Sequence, residues 1–297
     1  MNNKGNMVKA IATDGGILVT AIDSTDVVKE MQNLHKLSLA NTVALGRLIT
    51  GASLMGTTNL RGPEESITIR IDGNGKAGVL IAVSDYSGNV KGYVQNPNAE
   101  TTFKEDGKID VVANVGNAGS FSVIKDLGLK EPQSGQVDLA TGEIAEDITY
   151  YYAKSEQIPT ACCLGVLVDK DSSVLAAGGF LAQVLPGGDD YDISALEKNI
   201  DGLKDISQLI YDGLSAEELA KSLLEGMEPQ IIFSKQTEYK CNCSKEKVDR
   251  ALISLGKSEL LKIMQEDEAT EVVCDFCNKT YVYNKEDLKA LYDKARD

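Results

Sequence analysis

The sequence predicts an α+β protein: a mainly antiparallel sheet domain with packed helices, then a helical linker, then a small carboxy-terminal zinc domain with four cysteines. Three observations lead to this prediction: short apolar runs between glycine-bearing turns, an acidic helical stretch after Pro186, and two close cysteine pairs beyond residue 240. The expected domain limits are 1–186, 187–235 and 236–297. A chain of 297 residues is long enough for two domains and a large core.

The amino-terminal domain is predicted to begin with a β-hairpin. Runs 8–13 and 17–22 are strand-like, and Asp14-Gly15-Gly16 between them has the length and glycine content of a hairpin connection. Ser24 is placed to cap a following helix, and a second, more apolar helix is expected from about Ala40 to Met55. The chain therefore starts with a sheet that two helices follow.

Alternating apolar residues predict further strands along the chain. The expected strands cover residues 67–71, 78–83, 90–94, 109–113 and 120–124. Residues 147–157 are predicted to be helical. Residues 162–168 are predicted to form a buried strand, with Cys162 and Cys163 as core residues, because neighbouring cysteines bridge only with backbone distortion.

The composition changes after Pro186. From Gly187 to Gln230 there are eleven acidic residues and three lysines, a net charge of -8. Two capping boxes, Ser194 with Glu197 and Ser215 with Glu218, predict helices here. Their apolar stripes are narrow and include Leu196, Ile200, Leu203, Leu219, Leu223 and Leu224. Because isolated helices of this length are marginal in water, the segment is either an ordinary charged linker or an element that folds only on a partner surface.

Four cysteines near the carboxy terminus predict a metal site. They form two pairs, Cys241-Asn242-Cys243 and Cys274-Asp275-Phe276-Cys277, with thirty residues between the pairs. Two such pairs supply the four soft ligands of a closed tetrahedral zinc site, which gives one Zn²⁺ per chain. An iron–sulfur cluster uses the same ligands, and a coincidence of buried or disulfide-forming cysteines is the remaining alternative. Around so few residues, metal binding is expected to be part of folding.

Charge and hydropathy limit the partners and the location. With 45 acidic and 30 basic residues the formal charge is -15, which argues against binding nucleic acid or an anionic membrane. No stretch reaches the roughly 20 apolar residues of a membrane helix, and the polar first residues are unlike a signal peptide. A cytoplasmic protein is expected. In a reducing cytosol its six cysteines are ligands, core residues or redox switches.

Enzymatic activity is not predicted. His35 is the sole histidine, and no nucleophile motif lies beside it. The glycine-rich run 72–78 has no Gly-Lys-Ser/Thr motif and no Gly-x-Gly-x-x-Gly that opens a helix, so nucleotide binding is not predicted. Four thiolates leave no open position for water, so the predicted zinc is structural or regulatory. Zinc also keeps sulfurs in the thiolate form that peroxide attacks, so disulfide formation would compete with metal retention.

Two groups of motifs in this sequence match a known family. The carboxy-terminal group is Cys241-Asn242-Cys243-Ser244, Leu252, Leu255-Gly256, Glu259-Leu260, Val273-Cys274-Asp275-Phe276-Cys277 and Tyr281. The upstream group is 44–50, Gly92-Tyr93-Val94 and 178–186. In residues and order these motifs resemble those of the Hsp33 family, the redox-regulated bacterial holdase chaperones, and the resemblance runs nearly end to end.

The resemblance implies a function and a set of disulfides. Proteins of this family are inactive as chaperones when reduced and zinc-bound. Oxidation pairs near neighbours, here Cys241 with Cys243 and Cys274 with Cys277, releases zinc and unfolds the zinc domain and linker. The active form is associated with a homodimer and holds unfolding client proteins without ATP under oxidative and heat stress. The linker stripes defined by Leu196, Ile200, Leu203, Leu219, Leu223 and Leu224 are then candidates for client contact.

A rival interpretation from another class is a constitutive zinc-ribbon module that binds a protein or nucleic acid. It predicts redox-independent binding, whereas the holdase reading predicts binding only after oxidation. The formal charge of -15 disfavours its nucleic-acid version.

Overall fold

The computed structural model describes residues 4–13, 15–203, 205–266 and 269–295. The chain divides into two compact units, residues 1–240 and 241–297. The predicted α+β class with antiparallel sheets is confirmed. The domain limits placed at residues 186 and 235 stay predictions. Asp14, in the predicted hairpin connection, lies outside the described residues.

The first unit contains two antiparallel sheets. In chain order its strands are β1 (Lys4–Ile11), β2 (Ile17–Asp23), β3 (Ser66–Asp72), β4 (Leu80–Asp85), β5 (Val90–Val94), β6 (Ser120–Asp126), β7 (Gln133–Asp138), β8 (Thr160–Val168), β9 (Val174–Val184) and β10 (Gln230–Glu238). The first sheet has the order β10-β1-β2-β9-β8, and the second has the order β5-β4-β3-β6-β7.

Helices cover both sheets. They are α1 (Thr25–His35), α2 (Leu39–Asn59), α3 (Val111–Val115), α4 (Ile144–Tyr151), α5 (Asp190–Gly202), α6 (Ile206–Tyr211) and α7 (Ala216–Leu223), and a π-helical turn (Tyr152–Glu156) continues α4. The second unit consists of α8 (Lys245–Ser254), α9 (Lys257–Glu266), β11 (Ala269–Val273), β12 (Thr280–Asn284) and α10 (Lys285–Tyr292). Within the described ranges, no helix is both long and apolar enough to cross a lipid bilayer.

Helix α2 is the centre of the first unit because it is apolar on nearly every side. Its residues are buried almost without interruption from Ala40 to Thr57, as expected of a helix without a polar face. It contacts strands of both sheets, among them β9 and β4. Leu45, Leu48 and Ile49 of this helix are fully buried in the first core, which the two sheets share.

The other face of the first sheet carries a second core. Alternation along β1 places Met7 in the first core and Val8 in the second. Helices α5 and α7 and the intervening α6 cover this second face, where Leu219 is fully buried. The buried strand residues beneath them are the small Ala10, Ala21, Ala176 and Ala182 and the larger Val8, Ile17, Val19 and Phe180. The acidic segment therefore forms a helical cover on one face of a sheet.

Two glycines let α6 lie close to that sheet. Gly165 of β8 and Gly178 of β9 are register partners. A Cβ at Gly165 would lie 2.6 Å from Ile206 Cγ2, and one at Gly178 would lie 2.4 Å from Ile210 Cδ1. The Gly178 Cβ would also lie 2.3 Å from the main-chain oxygen of Ile22, which cannot rotate away. Close packing of α6 therefore requires a residue without a side chain at both positions.

Replacing Gly178 by alanine is expected to lower the free energy of unfolding by about 1–3 kcal/mol, because the added methyl overpacks a closed interface. Gly202→Ala is the matched control, since a Cβ there meets no heavy atom within 4 Å. Gly202 is the last residue of α5, so its replacement is expected to be neutral or slightly stabilising. Urea denaturation measures both effects. A Gly178→Ala midpoint equal to the wild-type midpoint would contradict the packing argument.

Two predicted elements are wrong. Residues 109–113 were expected to form a strand, but helix α3 occupies most of this range. The Asp110 carboxylate accepts a 2.9 Å hydrogen bond from the Ala113 N–H and so caps that helix. The predicted capping box of Ser194 and Glu197 is also incorrect, because α5 begins at Asp190 and Asp189 caps it together with Asp192.

The second predicted capping box is confirmed. Ser215 and Glu218 form a reciprocal capping box at α7. Ser244 accepts a hydrogen bond from Lys247 N–H at the start of α8. Asn284 forms a box with Asp287 at α10. Ser24 occupies the N-cap position of α1, but its hydroxyl lies 2.7 Å from Thr50 Oγ1 and caps nothing. The predicted helix 147–157 begins earlier, at Ile144, and ends in the π-helical turn.

Candidate metal centre

The second unit has a small hydrophobic core. Its buried members among the described residues are Leu252, Leu260, Tyr281, Tyr283, Leu288, Leu291 and Ala295. Alternation along β12 directs Tyr281 and Tyr283 inward. The Tyr283 hydroxyl donates a 2.6 Å hydrogen bond to Asp249 of α8, and Lys245 Nζ lies 4.0 Å from the Tyr283 ring centroid. These contacts join the hairpin to the first helix of the unit.

The second cysteine pair lies in the turn between β11 and β12. Cys274 N–H donates to the Lys279 carbonyl at 3.0 Å, and the Cys274 carbonyl accepts from Cys277 and Asn278 N–H at 3.3 and 2.8 Å. Asn278 has a left-handed φ of 56°, a conformation that asparagine tolerates better than most residues. This tight turn holds the two sulfurs of the pair on one side.

The first cysteine pair lies in the loop before α8. Cys241 Sγ is 3.8 Å from Cys274 Sγ, and Cys243 Sγ is 3.4 Å from Cys277 Sγ. All four sulfurs lie within 4.8 Å of one another. The structure therefore brings the four predicted ligands into one cluster, which could hold a metal ion.

The cluster fits a tetrahedral zinc ion in donor type and size. Zinc–thiolate bonds of about 2.3 Å place the sulfurs of a regular tetrahedron roughly 3.8 Å apart. The 3.8 Å Cys241–Cys274 distance equals this value, and the 3.4 Å Cys243–Cys277 distance is slightly shorter. Four soft donors in a small closed cluster are compatible with zinc.

The four thiols are electrostatically different. Burial raises the pKa of Cys243, but hydrogen bonds from the Tyr281 hydroxyl and the neighbouring thiols outweigh burial, and the pKa falls to about 7. Burial and hydrogen bonding to Cys243 and Cys241 raise the pKa of Cys277. Burial also raises the pKa of Cys241. Among the free thiols, Cys243 therefore loses its proton more easily than Cys241 and Cys277.

Tyr281 is a site residue whose role the sequence did not indicate. Its hydroxyl lies 3.1 Å from Cys243 Sγ, a distance at which it donates a hydrogen bond to the sulfur. The alternation of Tyr281 and Tyr283 along β12 was the available signal, because it directs both rings into the core of the second unit. Residue spacing alone carries no information on the hydroxyl's direction.

Cys162 and Cys163 lie on β8 in the first unit and point to opposite faces of the sheet. Cys162 packs against the first core and Cys163 against the second. Burial raises the pKa of both thiols. Both positions agree with the predicted role as core residues, and neither thiol is activated as a nucleophile.

His35 is the last residue of α1. Its Nε2 lies 3.0 Å from the Tyr239 hydroxyl, and the two rings meet edge to face with centroids 6.2 Å apart. This is a packing position beside the segment that follows β10.

The predicted client-contact residues lie in the helical cover. Leu219, Leu223 and Leu224 are fully buried, and Leu196 is 5% exposed. Ile200 and Leu203 are half-buried and pack against the same second core. The four buried leucines are therefore closed to a large partner in this conformation, whereas Ile200 and Leu203 are partly exposed.

The comparisons with known proteins all give similarity to the same family over nearly the whole chain. The family model described as "Hsp33 protein" matches residues 5–284. The 33 kDa chaperonin of Enterococcus faecalis is 46% identical over 97% of this chain and 96% of its own length. That of Bacillus licheniformis is 43% identical over 97% and 99%. The crystal structure of the 33 kDa chaperonin (heat shock protein 33 homolog) from Thermotoga maritima is similar with a TM-score of 0.88, 37% identity and 99% coverage of both chains.

The fold and the site define a class: an antiparallel two-sheet body followed by a small unit with a four-thiol cluster. The chain belongs to the Hsp33 family. The family and the names of its relatives support a chaperone, which acts on client proteins, and this is not a family of enzymes.

Proposed function

We propose that the chain is a redox-regulated, ATP-independent holdase chaperone of the cytoplasm. In its reduced, inactive state Cys241, Cys243, Cys274 and Cys277 hold one Zn²⁺, and in its oxidised state it prevents aggregation of unfolding proteins under oxidative and heat stress. The observation that carries the proposal is the cluster of four sulfurs within 4.8 Å of one another. It lies in a unit whose own core is too small to be stable without further support.

The chemistry follows from the donor set. Bound zinc keeps all four sulfurs as thiolates, which is the state that peroxide attacks. Counted from the thiols, each pair gives two electrons and two protons to one hydrogen peroxide, which leaves as two waters while one S–S bond forms. Two disulfides remove all four ligands.

The proposed disulfides are Cys241–Cys243 and Cys274–Cys277. This pairing rests on the family resemblance. The close sulfur contacts in the structure join a different combination, Cys241 with Cys274 and Cys243 with Cys277. Peptide mapping of the oxidised protein distinguishes the two patterns, because only the proposed one leaves residues 244–273 outside any disulfide loop.

Release of the ligands links the cysteines to the helical cover. Without its metal the second unit loses the free energy that folds it, and the acidic segment 187–235 then unfolds as the regulatory linker between domains 1–186 and 236–297. Leu196, Ile200, Leu203, Leu219, Leu223 and Leu224 become available to clients, and the active form is a homodimer. If charge substitutions at these six residues leave aggregation suppression after oxidation intact, the residues do not form the client surface.

Peroxide treatment at elevated temperature tests the proposal. Zinc content and suppression of aggregation of a thermally unfolding test protein are measured before and after treatment. We expect zinc release together with new anti-aggregation activity, both reversed by a thiol reductant with zinc resupplied. Retained zinc and unchanged activity would instead indicate a constitutive interaction module.

A further inference from the structure

The segment that leads from β10 to Cys241 is attached to both sheets of the first unit. Strand β10 pairs with β1 of the first sheet up to the partners Glu238 and Lys4. The next residue, Tyr239, forms a parallel bridge with Val90 of β5, an edge strand of the second sheet. Lys240 N–H then donates to the Val90 carbonyl at 2.8 Å. Residues 238–240 therefore pass from one sheet to the other immediately before the first cysteine.

The Tyr239 hydroxyl is the centre of this attachment. It donates to the Gly92 carbonyl at 2.8 Å and accepts from the Gly92 N–H at 3.2 Å. It also lies 3.0 Å from His35 Nε2, and since its own hydrogen points to Gly92, it accepts from that nitrogen. One hydroxyl thus satisfies both outward backbone groups of an edge-strand residue and one ring of α1.

Helix α2 packs closely against β5 at Gly92, where there is no room for a side chain. A Cβ there would lie 2.8 Å from Ile49 Cγ2 and 2.9 Å from the main-chain oxygen of Ile81. Helix α2 therefore holds β5 in place through this contact, and Tyr239 binds an edge strand that is already fixed. Binding to a rigid partner costs little ordering entropy on the partner side.

Strand β10 itself has few buried side chains. Of its residues only Thr237 is buried, while Ile231 and Ile232 are 36% and 54% exposed. A strand held mainly by its ladder to β1 opens locally at low free energy. Opening that starts from the carboxy-terminal end meets Lys240 and Tyr239 first, then the contacts of Glu238 N–H with Asn89 Oδ1 at 3.2 Å and of Lys235 Nζ with Ser87 Oγ at 2.6 Å.

We propose that Tyr239 is a latch: a positioning residue that holds the end of β10 on the second sheet and sets how readily unfolding beyond residue 240 spreads into β10 and the helical cover. The effect of Tyr239 on chaperone activity rests on the proposed function, in which the helical cover carries the client surface. It concerns regulation of that surface and adds no cysteine chemistry.

The test is Tyr239→Phe in the full-length, reduced, zinc-loaded protein. The variant keeps the ring and removes the hydroxyl. We expect hydrogen exchange of the β10 amides to become roughly fivefold faster, the change that loss of one net hydrogen bond produces. Exchange in β9 and the zinc content are expected to stay at wild-type values. The peroxide exposure for half-maximal aggregation suppression is expected to fall. Tyr211→Phe, at a side chain 54% exposed, is the matched control.

His35 gives a second readout. As the sole histidine, it produces one set of imidazole NMR signals, which are expected to shift in Tyr239→Phe and stay in Tyr211→Phe. His35→Phe removes one of the hydroxyl's three contacts and is expected to give part of the exchange effect.

The outcomes distinguish the proposed role of Tyr239 from the proposed redox function. Unchanged β10 exchange and an unchanged peroxide threshold in Tyr239→Phe would overturn the latch. Equal acceleration in β10 and β9 would also overturn it, because that pattern is general destabilisation. Faster β10 exchange in a protein whose wild type gains no activity from peroxide would keep the latch and remove the proposed redox function.

Discussion

Removing zinc from the reduced protein is expected to unfold residues 241–297, to loosen the helical cover of residues 187–235 and to leave the part of the first unit before residue 187 folded. The second unit has seven buried hydrophobic residues among those described, and structural zinc contributes roughly 10–16 kcal/mol of apparent binding free energy in small domains. The first unit has two cores of its own. Hydrogen exchange with a chelator and a reductant present should therefore show lost protection in α8, β12 and α10, with protection retained in β9 and α2.

Cysteine variants give the matched comparison. Cys277→Ser removes one of the four clustered sulfurs and is expected to weaken zinc binding by more than the roughly 10- to 100-fold that loss of a supporting residue costs. Cys163→Ser removes a thiol on β8, outside the cluster, and is expected to leave zinc content unchanged. Competition with a chromophoric chelator measures both affinities. Equal zinc affinity in the two variants would contradict the assignment of Cys277 as a ligand.

Leu223→Ala is expected to loosen the helical cover by about 2–5 kcal/mol, the range for truncating a buried leucine. Leu223 is fully buried in the second core, and α7 contacts β1 and β2, so the cavity forms at the contact that holds the cover to the sheet. We expect faster hydrogen exchange in α7 and aggregation suppression at lower peroxide exposure.

Lys221→Ala on the same helix is the control for this effect. Lys221 Nζ lies 2.6 Å from Glu217 Oε1, with both side chains 49% exposed, and exposed pairs of this kind contribute about 0.5 kcal/mol or less. Urea denaturation and hydrogen exchange compare the variants. If Leu223→Ala and Lys221→Ala exchange alike in α7, the leucine does not anchor the cover.

The sequence was informative where one local rule decides the structure. The alternation of Ile67, Ile69 and Ile71 predicted β3, and the largely apolar run from about Ala40 to Met55 predicted a helix; both elements are present. The four cysteines were found by spacing alone, and the structure brings their sulfurs together. In these cases the signal lies within a few residues of the element.

The remaining elements depend on contacts that sequence spacing does not encode. Strands β7 and β10 were not predicted, because they lie at sheet edges and are largely exposed and polar. Val111 and Val112 are β-formers by propensity, but the Asp110 cap and burial of Val111 and Val115 favour a helix. The Tyr281 and Tyr239 hydroxyls act on partners brought close by the fold.

The two cores on opposite faces of the first sheet affect how the protein returns from its active to its inactive state. Among the described residues, every buried member of the first core precedes residue 182. Loss of α5 to α7 therefore bares one face of a sheet that stays assembled. That face is a preformed template of alanine, valine, isoleucine and phenylalanine side chains. Return to the inactive state then requires only that α5 to α7 fold again onto this assembled face. That process is faster than folding the whole first unit from a disordered chain.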